Sequence, residues 1–157
     1  MRLRRWSRGA AWLTFVIALA AACGVTEPGD YEEERDRLAE NRGRWSSQGF
    51  DSYDYVLQPL CFCLVTTPGN VVVRAGAIIG VTNVETGEPV PQTWLQVYMT
   101  VEQLFAFIED AIDRSAHSID VDYHPQYGYP TNIRIDYIEN MIDEEMAFEA
   151  SGLVPLR

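Results

Sequence analysis

The chain has 157 residues, with 23 Asp and Glu against 12 Arg and no Lys, and a formal net charge of −11. Phosphate backbones and anionic lipid head groups repel such a chain, since binding either of them requires cationic side chains. Nucleic-acid binding is therefore excluded, whereas cationic partners, divalent ions and plain solubility remain open.

The first 22 residues have the order of an export signal. Met1 to Arg8 is basic, and the apolar stretch 9–22 that follows is shorter than the roughly 20 residues of a transmembrane helix. Small side chains precede Cys23, in an order that resembles a bacterial lipobox with Ala20 where Leu is usual. We therefore predict cleavage before Cys23 and diacylglycerol on its thiolate, with two or more acyl chains making the anchoring stable. The alternative is an ordinary secretory signal, cleaved nearby without lipid.

Cleavage defines the predicted organisation of the chain. It comprises a lipoprotein signal peptide (1–22), a lipidated tether (23–30), a single α+β domain (31–152) and a C-terminal tail (153–157). Four arginines leave with the signal, so the remaining 135 residues carry a formal charge of −15, and this length suits one domain. Gly24 is not the Asp that retains enteric lipoproteins at the inner membrane. We therefore expect the outer membrane, facing the periplasm, in a Gram-negative cell.

The first half of the domain is predicted to contain one helix and three strands. Residues 31–45 carry Glu and Arg at i,i+4 spacing beside a narrow apolar stripe, which is typical of a mostly solvated helix. From residue 50 the apolar side chains alternate, which predicts a strand that Pro59 ends, and Gly76 favours a tight turn. The helical stripe consists of Tyr31, Leu38 and Trp45. The predicted strands are 53–57, 70–74 and 77–84.

The second half is predicted to follow the same order. Residues 100–116 place apolar side chains at helical spacing, and Thr100 and Gln103 have the spacing of a capping box. The strands predicted after this helix are 119–123, 131–137 and a shorter one around 146–148. The fold class is α+β: an antiparallel sheet packed by two helices, in the order helix, three strands, helix, three strands. A weak echo between Tyr53-x-Tyr55 and Val121-x-Tyr123 points to two related halves.

Short motifs follow one another in a specific order after the tether. They are Trp45, Tyr53-Asp-Tyr55, Cys61-Phe-Cys63, Val71-Val-Val73, 100–105 with its Leu-Phe pair, Tyr127-Gly-Tyr-Pro-Thr131, Ile135-Asp136 and Asp143-Glu-Glu145. Through them, residues 42–152 resemble a family of bacterial lipoproteins known only as a domain of unknown function. Two positions depart from that family: Leu64 stands where Pro often follows the Cys-Phe-Cys, and His124 where Asp usually follows the Tyr. The resemblance implies an envelope lipoprotein without assigned chemistry.

The remaining cysteines, Cys61 and Cys63, would lie in a compartment that permits disulfides. Residues two apart in a strand are about 6.6 Å apart at Cα, near the upper limit for a disulfide, so bonding them requires a bent backbone. A structural disulfide is the leading interpretation. A second is a metal site, in which His117 and His124 complete a shell for Zn²⁺ or Cu⁺. A third is redox function, although Cys-x-x-Cys at a helix start is missing.

Carboxylates are concentrated in the second half of the domain. Strand alternation places Asp120, Asp122 and Asp136 on one outer face with Arg134, and Asp143 follows soon after. The spacing does not fit an EF-hand, because Pro stands where Gly is needed. We interpret the acidic residues as a solvated face with cross-strand pairs to Arg134 rather than as an ion site.

A short aromatic segment, Tyr127-Gly128-Tyr129-Pro130, separates two of the predicted strands. Gly128 permits positive φ, and Pro130 suits the first position of a strand. An exposed tyrosine pair here is a candidate surface for a sugar or a partner protein. The favoured interpretation, however, is that the aromatic rings cover a sheet edge in a hairpin loop.

No catalytic residue is predicted, since the chain has no Gly-x-Ser-x-Gly elbow, no His-Glu-x-x-His and no phosphate-cradling glycine loop. No cofactor is expected. We predict a non-enzymatic domain that is held at a membrane by lipid on Cys23 and binds an unknown envelope protein or ligand. The alternative is a thiol-dependent redox or metal-handling protein acting through Cys61 and Cys63.

Overall fold

The computed structural model describes residues 31–61, 67–139 and 145–156, with Cys61 described by its backbone alone. The elements are α1 (Glu32–Ser46), β1 (Tyr53–Cys61), β2 (Gly69–Arg74), β3 (Ala77–Asn83), a 3₁₀ helix (Gln92–Val97), α2 (Val101–Asp113), β4 (Ser118–Tyr123), β5 (Pro130–Asp136) and β6 (Glu145–Pro155). They agree with the predicted α+β class and, apart from the 3₁₀ helix, with the predicted order. The predicted signal peptide and tether lie outside the described residues.

The six strands form one antiparallel sheet in the order β3-β2-β1-β6-β5-β4. β1 and β6 pair at its centre, so the first and the last strand join the two halves of the chain. The sequence echo relates β1 to β4, yet β1 is a central strand and β4 is an edge strand. The two halves therefore do not repeat one strand arrangement.

One hydrophobic core joins both helices to the inner face of the sheet. α2 begins with the predicted capping box, in which the Thr100 side chain accepts from Gln103 N–H and the Gln103 side chain accepts from Thr100 N–H. Its apolar face is buried, and α1 buries Leu38 and Trp45 of its predicted stripe. Neither helix in the described part of the chain has the length and hydrophobicity to span a bilayer.

Two strand boundaries differ from the prediction. β1 continues through Pro59. Its pairing with β2 stops at Leu57 and Gly69, so at Pro59 there is no hydrogen-bond ladder with β2 that a missing N–H could break. β6 is far longer than 146–148 and includes part of the predicted tail, because it pairs with β1 on one side and β5 on the other. Gly152, with φ of +64°, lies where its register with β1 shifts.

Candidate functional site

The thiols predicted to form a disulfide, metal or redox site are at the end of β1. Cys61 is the last residue of the strand, with its backbone opposite Met146 of β6. Cys63 lies outside the described residues, as do Cys23 and Asp143. The predictions for these residues therefore remain predictions.

The two histidines lie at opposite ends of β4, His117 before its first residue and His124 after its last. At 3.2–3.4 Å per residue, the strand separates them by more than about 20 Å, which is too far to share one ion. In the described ranges, no group of three or more His, Cys, Asp or Glu side chains is placed to hold a metal. The structure thus places His117 and His124 too far apart to bind one metal ion together, as the metal hypothesis required.

His124 instead organises the turn between β4 and β5. Its Nδ1 accepts hydrogen bonds from the backbone N–H groups of Gln126 and Tyr127, at 3.3 and 3.2 Å. Its ring stacks on those of Tyr127 and Tyr129, with centroids 5.1 and 4.9 Å apart. An Asp carboxylate can accept the same two N–H groups. His124 therefore accepts the two backbone hydrogen bonds that the Asp usual at this position in the resembling family can accept.

The segment Tyr127 to Pro130 offers no exposed tyrosine pair, because Tyr129 is buried and Tyr127 is half-buried. Tyr129 is only 2% exposed, and Pro130 is buried as well. Gly128, with φ of +80°, lies so close to α1 that a Cβ atom would come within 2.5 Å of the Asn41 carbonyl oxygen. The Tyr129 ring contacts Trp45 of α1, with centroids 6.3 Å apart, which agrees with the favoured covering role, although local sequence does not reveal that α1 is the partner.

The predicted acidic face lies on the outer side of β4 and β5. Asp120 is paired with Arg134 across the strands at 3.6 Å, and both side chains are largely exposed. Asp122 accepts from the Asn132 amide at 3.2 Å, and Asp136 accepts the N–H of Ile138 at 3.0 Å. These contacts are those of a solvated sheet face, and exposed pairs of this kind contribute little to stability.

Buried Tyr53 and Trp45 hold the start of α2 through Glu102, a residue that sequence reasoning missed. The Tyr53 hydroxyl donates to Glu102 at 2.8 Å and accepts the Val101 N–H at 2.9 Å, and Trp45 Nε1 also donates to Glu102 at 2.9 Å. Burial, and then the Glu102 charge, raise the pKa of Tyr53 well above its usual value. The phenol therefore stays protonated at neutral pH, which suits a structural donor and not a base.

A cleft of about 490 Å³ lies between the β2–β3 turn, the 3₁₀ helix and the first turn of α2. Its lining residues are Gly76, Ala77, Ile78, Gln92, Leu95, Gln96, Tyr98, Thr100 and Gln103. Tyr98 is 3% exposed and packs so closely over Gly69 that a Cβ atom there would come within 2.4 Å of its ring. Its hydroxyl donates to the Thr67 carbonyl at 2.9 Å, which fixes the ring in the cleft wall.

The lining of the cleft contains amides, a hydroxyl and apolar groups, but no acidic side chain and no Arg, His or Cys. Gln103 and Thr100 are engaged in the capping box. Gln92 and Gln96, by contrast, are exposed and have no hydrogen-bond partner within the described residues. Each offers both donors and an acceptor to a bound molecule. Such a cleft suits recognition of an uncharged polar ligand and lacks the groups of acid–base or nucleophilic catalysis.

Comparison with known protein families assigns the chain. The model described as "Family of unknown function (DUF6174)" matches residues 37–155. The chain belongs to this family. The DUF6174 match starts within α1 and ends at the last residue of β6, so it includes every strand and all sides of the cleft. No curated protein and no solved structure matches the chain.

Sequence reasoning did not find the cleft in this DUF6174 domain. Its residues come from segments 76–78, 92–98 and 100–103, which meet only in the folded chain. The one local signal was the pair Gln92 and Gln96, four residues apart in a stretch with neither helical nor strand periodicity. Without the 3₁₀ helix, that pair had no structural context.

Proposed function

We propose that this protein is a lipid-anchored domain of the bacterial cell envelope that binds an uncharged ligand in the cleft and performs no catalysis. The observation that carries the binding role is the chemistry of the cleft: unpaired carboxamides above an apolar wall, with no ionised group among the lining residues. A charged ligand would lose its hydration there without gaining a counter-charge, whereas a neutral polar ligand meets donors and acceptors.

The anchoring role is supported by residues 1–23, where a basic start, an apolar stretch and small residues before Cys23 occur in the order of a lipoprotein signal. We place the domain on the outer membrane, facing the periplasm. With a tether of about eight residues, the cleft would lie within a few tens of ångströms of the bilayer. Its ligand would then be a component of the membrane-proximal envelope.

Binding is tested with neutral probes against charged ones. The full-length chain is titrated with an uncharged oligosaccharide mixture, an uncharged peptide pool, and matched anionic and cationic peptides, while amide NMR signals are recorded. We expect neutral probes to shift the signals of the cleft residues, and the double variant Gln92→Glu, Gln96→Glu to reduce their binding. The control Val154→Glu places a new charge at a site that is 57% exposed and outside the cleft lining, and should not matter. Failure of every neutral probe to perturb the cleft would refute the binding role.

Anchoring is tested by fatty-acid labelling in cells. The wild-type chain should take up label and fractionate with membranes, and Cys23→Ser should do neither. Label or membrane association that survives this substitution would exclude lipidation at Cys23. The variant Cys61→Ser, Cys63→Ser serves as the thiol control: it should keep the label and the binding, whereas a thiol-dependent redox or metal protein would lose its activity or metal content.

A further inference from the structure

The outer edge of β3 is partly covered by the chain itself. The Val90 N–H donates to the Val81 carbonyl at 2.8 Å, and the Asn83 N–H donates to the Glu88 carbonyl at 2.9 Å. Together with the isolated antiparallel bridge between Thr82 and Pro89, these bonds hold the extended segment 88–90 against β3. The edge of β3 thus already accepts an extended segment along its second half.

The first half of the same edge, Ala77–Gly80, has no strand beside it within the described residues. It contains neither a charged residue nor a proline, the usual protection of exposed edges. Ile79 is 65% exposed, the highest fraction among the large hydrophobic side chains described. Pro91 follows the covering segment, and the chain then turns into the 3₁₀ helix. The open edge therefore borders the cleft, with Ala77 and Ile78 on one side and Gln92 and Gln96 on the other.

We infer that the cleft takes an extended, uncharged peptide segment of a partner protein, which adds to β3 alongside Ala77–Gly80 and is held by the amides of Gln92 and Gln96. This inference rests on the proposed binding role and specifies the class of its ligand. The unpaired backbone groups of a strand edge are complementary to another extended backbone, which is how peptides add to sheets in many recognition domains. Carboxamides can bond to peptide N–H and C=O groups together. A sugar finds no exposed aromatic platform, since Tyr98 is 3% exposed.

The register of β3 limits how much can be added. The β2–β3 pairing shifts between Val72 and Val73, so Ile79 is an extra residue, the mark of a β-bulge. Bulges at edges discourage the indefinite pairing that leads to fibres. A bulge next to a covered half-edge leaves room for one short segment. We therefore place a short peptide there and not a second copy of this sheet.

The experiment uses the full-length chain in mild detergent and a pool of capped seven-residue peptides composed of Ala, Ser, Thr, Val and Gln. The strongest binder is resynthesised with N-methyl groups on alternate residues, which removes ladder hydrogen bonds and leaves the side chains unchanged. We expect the parent peptide to shift the amide signals of Ala77–Gly80 and the side-chain amides of Gln92 and Gln96. N-methylation on the pairing side should weaken binding about tenfold or more, through loss of backbone bonds.

Matched lysine variants test the place of binding. Ile79→Lys should weaken the peptide about tenfold, because it puts a charge on the edge, whereas Val154→Lys, at a site that is 57% exposed on β6, should leave the affinity unchanged. Three results would overturn the inference. They are equal binding of peptides N-methylated on either set of alternate residues, equal peptide affinity of the two lysine variants, and no binder in the pool. An edge-to-edge dimer that Ile79→Lys dissociates would overturn it as well, since the occupant would then be a second copy.

The same measurements separate this inference from the proposed function. If neutral oligosaccharides perturb the cleft while no peptide does, the cleft is a binding site and strand addition is wrong. If neither class perturbs it, both proposals fail together.

Discussion

β4 and β3 both border the sheet, but they are protected differently: a side chain of α1 caps one carbonyl of β4, the closed border, whereas half of the β3 edge, the open border, is uncovered within the described residues. At β4, the Arg37 guanidinium donates to the Val121 carbonyl at 2.8 Å, and Asp120 and Asp122 add charge along the strand. At β3, the residues Ala77–Gly80 have neither a charge nor a covering segment within the described residues. The chain thus protects one border of its sheet with charge and a capping side chain, and leaves half of the other border without that protection.

The closed border also contains a buried acid. Glu34 is 8% exposed and accepts from Arg37 at 2.6 Å and from the Tyr123 hydroxyl at 3.0 Å. Burial raises the pKa of Glu34, and the neighbouring Arg37 opposes that shift. The contact between α1 and β4 thus contains a partly desolvated ion pair, whereas the open half of β3 contains no charged residue. Substitutions at both borders test this contrast, and the first concerns the attachment of α1.

Trp45→Ala should give the largest loss of stability, because it detaches the end of α1. Trp45 is 4% exposed and contacts the rings of Phe50, Tyr53 and Tyr129. Removal of a core aromatic side chain costs about 3–5 kcal/mol. Trp94→Ala, in the partly exposed 3₁₀ helix, is the control and should cost about 1 kcal/mol. Urea unfolding measures both, and equal losses would mean that α1 is not fastened by this contact.

Arg37→Met should open the β4 edge while keeping most of the side-chain volume. It removes the hydrogen bond to Val121 and leaves Glu34 without its cation, at a cost of about 1–3 kcal/mol. Arg35→Met on the same helix breaks only an exposed pair with Asp113 and should cost less than about 1 kcal/mol. Hydrogen exchange should also speed up along β4 in the first variant alone. Similar behaviour of both would remove Arg37 from the closure of the edge.

Glu34→Gln tests the charge at the closed border through pH. Because the folded pKa of Glu34 lies above its unfolded value, the folded state binds more protons, and stability due to this group falls as pH rises through the folded pKa. The free energy of unfolding of wild type minus that of Glu34→Gln should therefore increase as the pH falls from neutral through the titration range of Glu34. A difference that is independent of pH, or that has the opposite slope, would contradict the raised pKa.

His124→Ala and His124→Asp compare two replacements in the turn that follows the closed strand. Alanine removes the acceptor of two backbone N–H groups, which alone should cost about 1–2 kcal/mol, and it loses the ring stacking as well. Aspartate keeps that acceptor and loses only the ring stacking, at about 0.5–1.5 kcal/mol. Thermal unfolding should rank wild type above Asp and Asp above Ala. Because both variants lose the ring, equal stability of the two, or the reverse order, would show that the acceptor does not stabilise the turn.

Ile79→Lys should have the smallest effect on stability, within about 0.5 kcal/mol, because the side chain is 65% exposed on the open border. Its effect on peptide binding should nevertheless be large. Measuring the stability and the peptide affinity on the same preparation separates a role in binding from a role in the fold. A marked loss of stability would mean that the open edge serves the fold of the unbound protein.

Patterns that lie within one element were predictable from the sequence. The capping box and the apolar face of α2 are local, and both are present as predicted. The end of β1 was not predictable, because whether Pro59 is tolerated depends on where β2 stops pairing. The length of β6 was hidden by Gly152 and by the lack of alternation around it, and one of its two neighbours, β1, comes from a distant part of the chain.

The candidate site was less predictable than the fold. A covering role for Tyr129 could be favoured from the sequence, but its contact could not be located, because α1 lies about 80 residues earlier in the chain. The cleft requires three segments to meet, and one of its sides is a 3₁₀ helix without a periodic signature. Chemistry that is carried by a motif can be read from sequence, whereas a site made by tertiary contact needs the structure.

The central pairing of β1 with β6 has a consequence for how the chain acquires its fold. Residues 53–61 and 145–155 are separated by most of the domain, so the middle of the sheet depends on contacts of high sequence separation. Topologies of this kind fold slowly, because a long loop must close before the contacts form. A ribosome-bound chain that lacks β6 cannot complete its sheet. The middle of the sheet would therefore form only when synthesis is nearly finished.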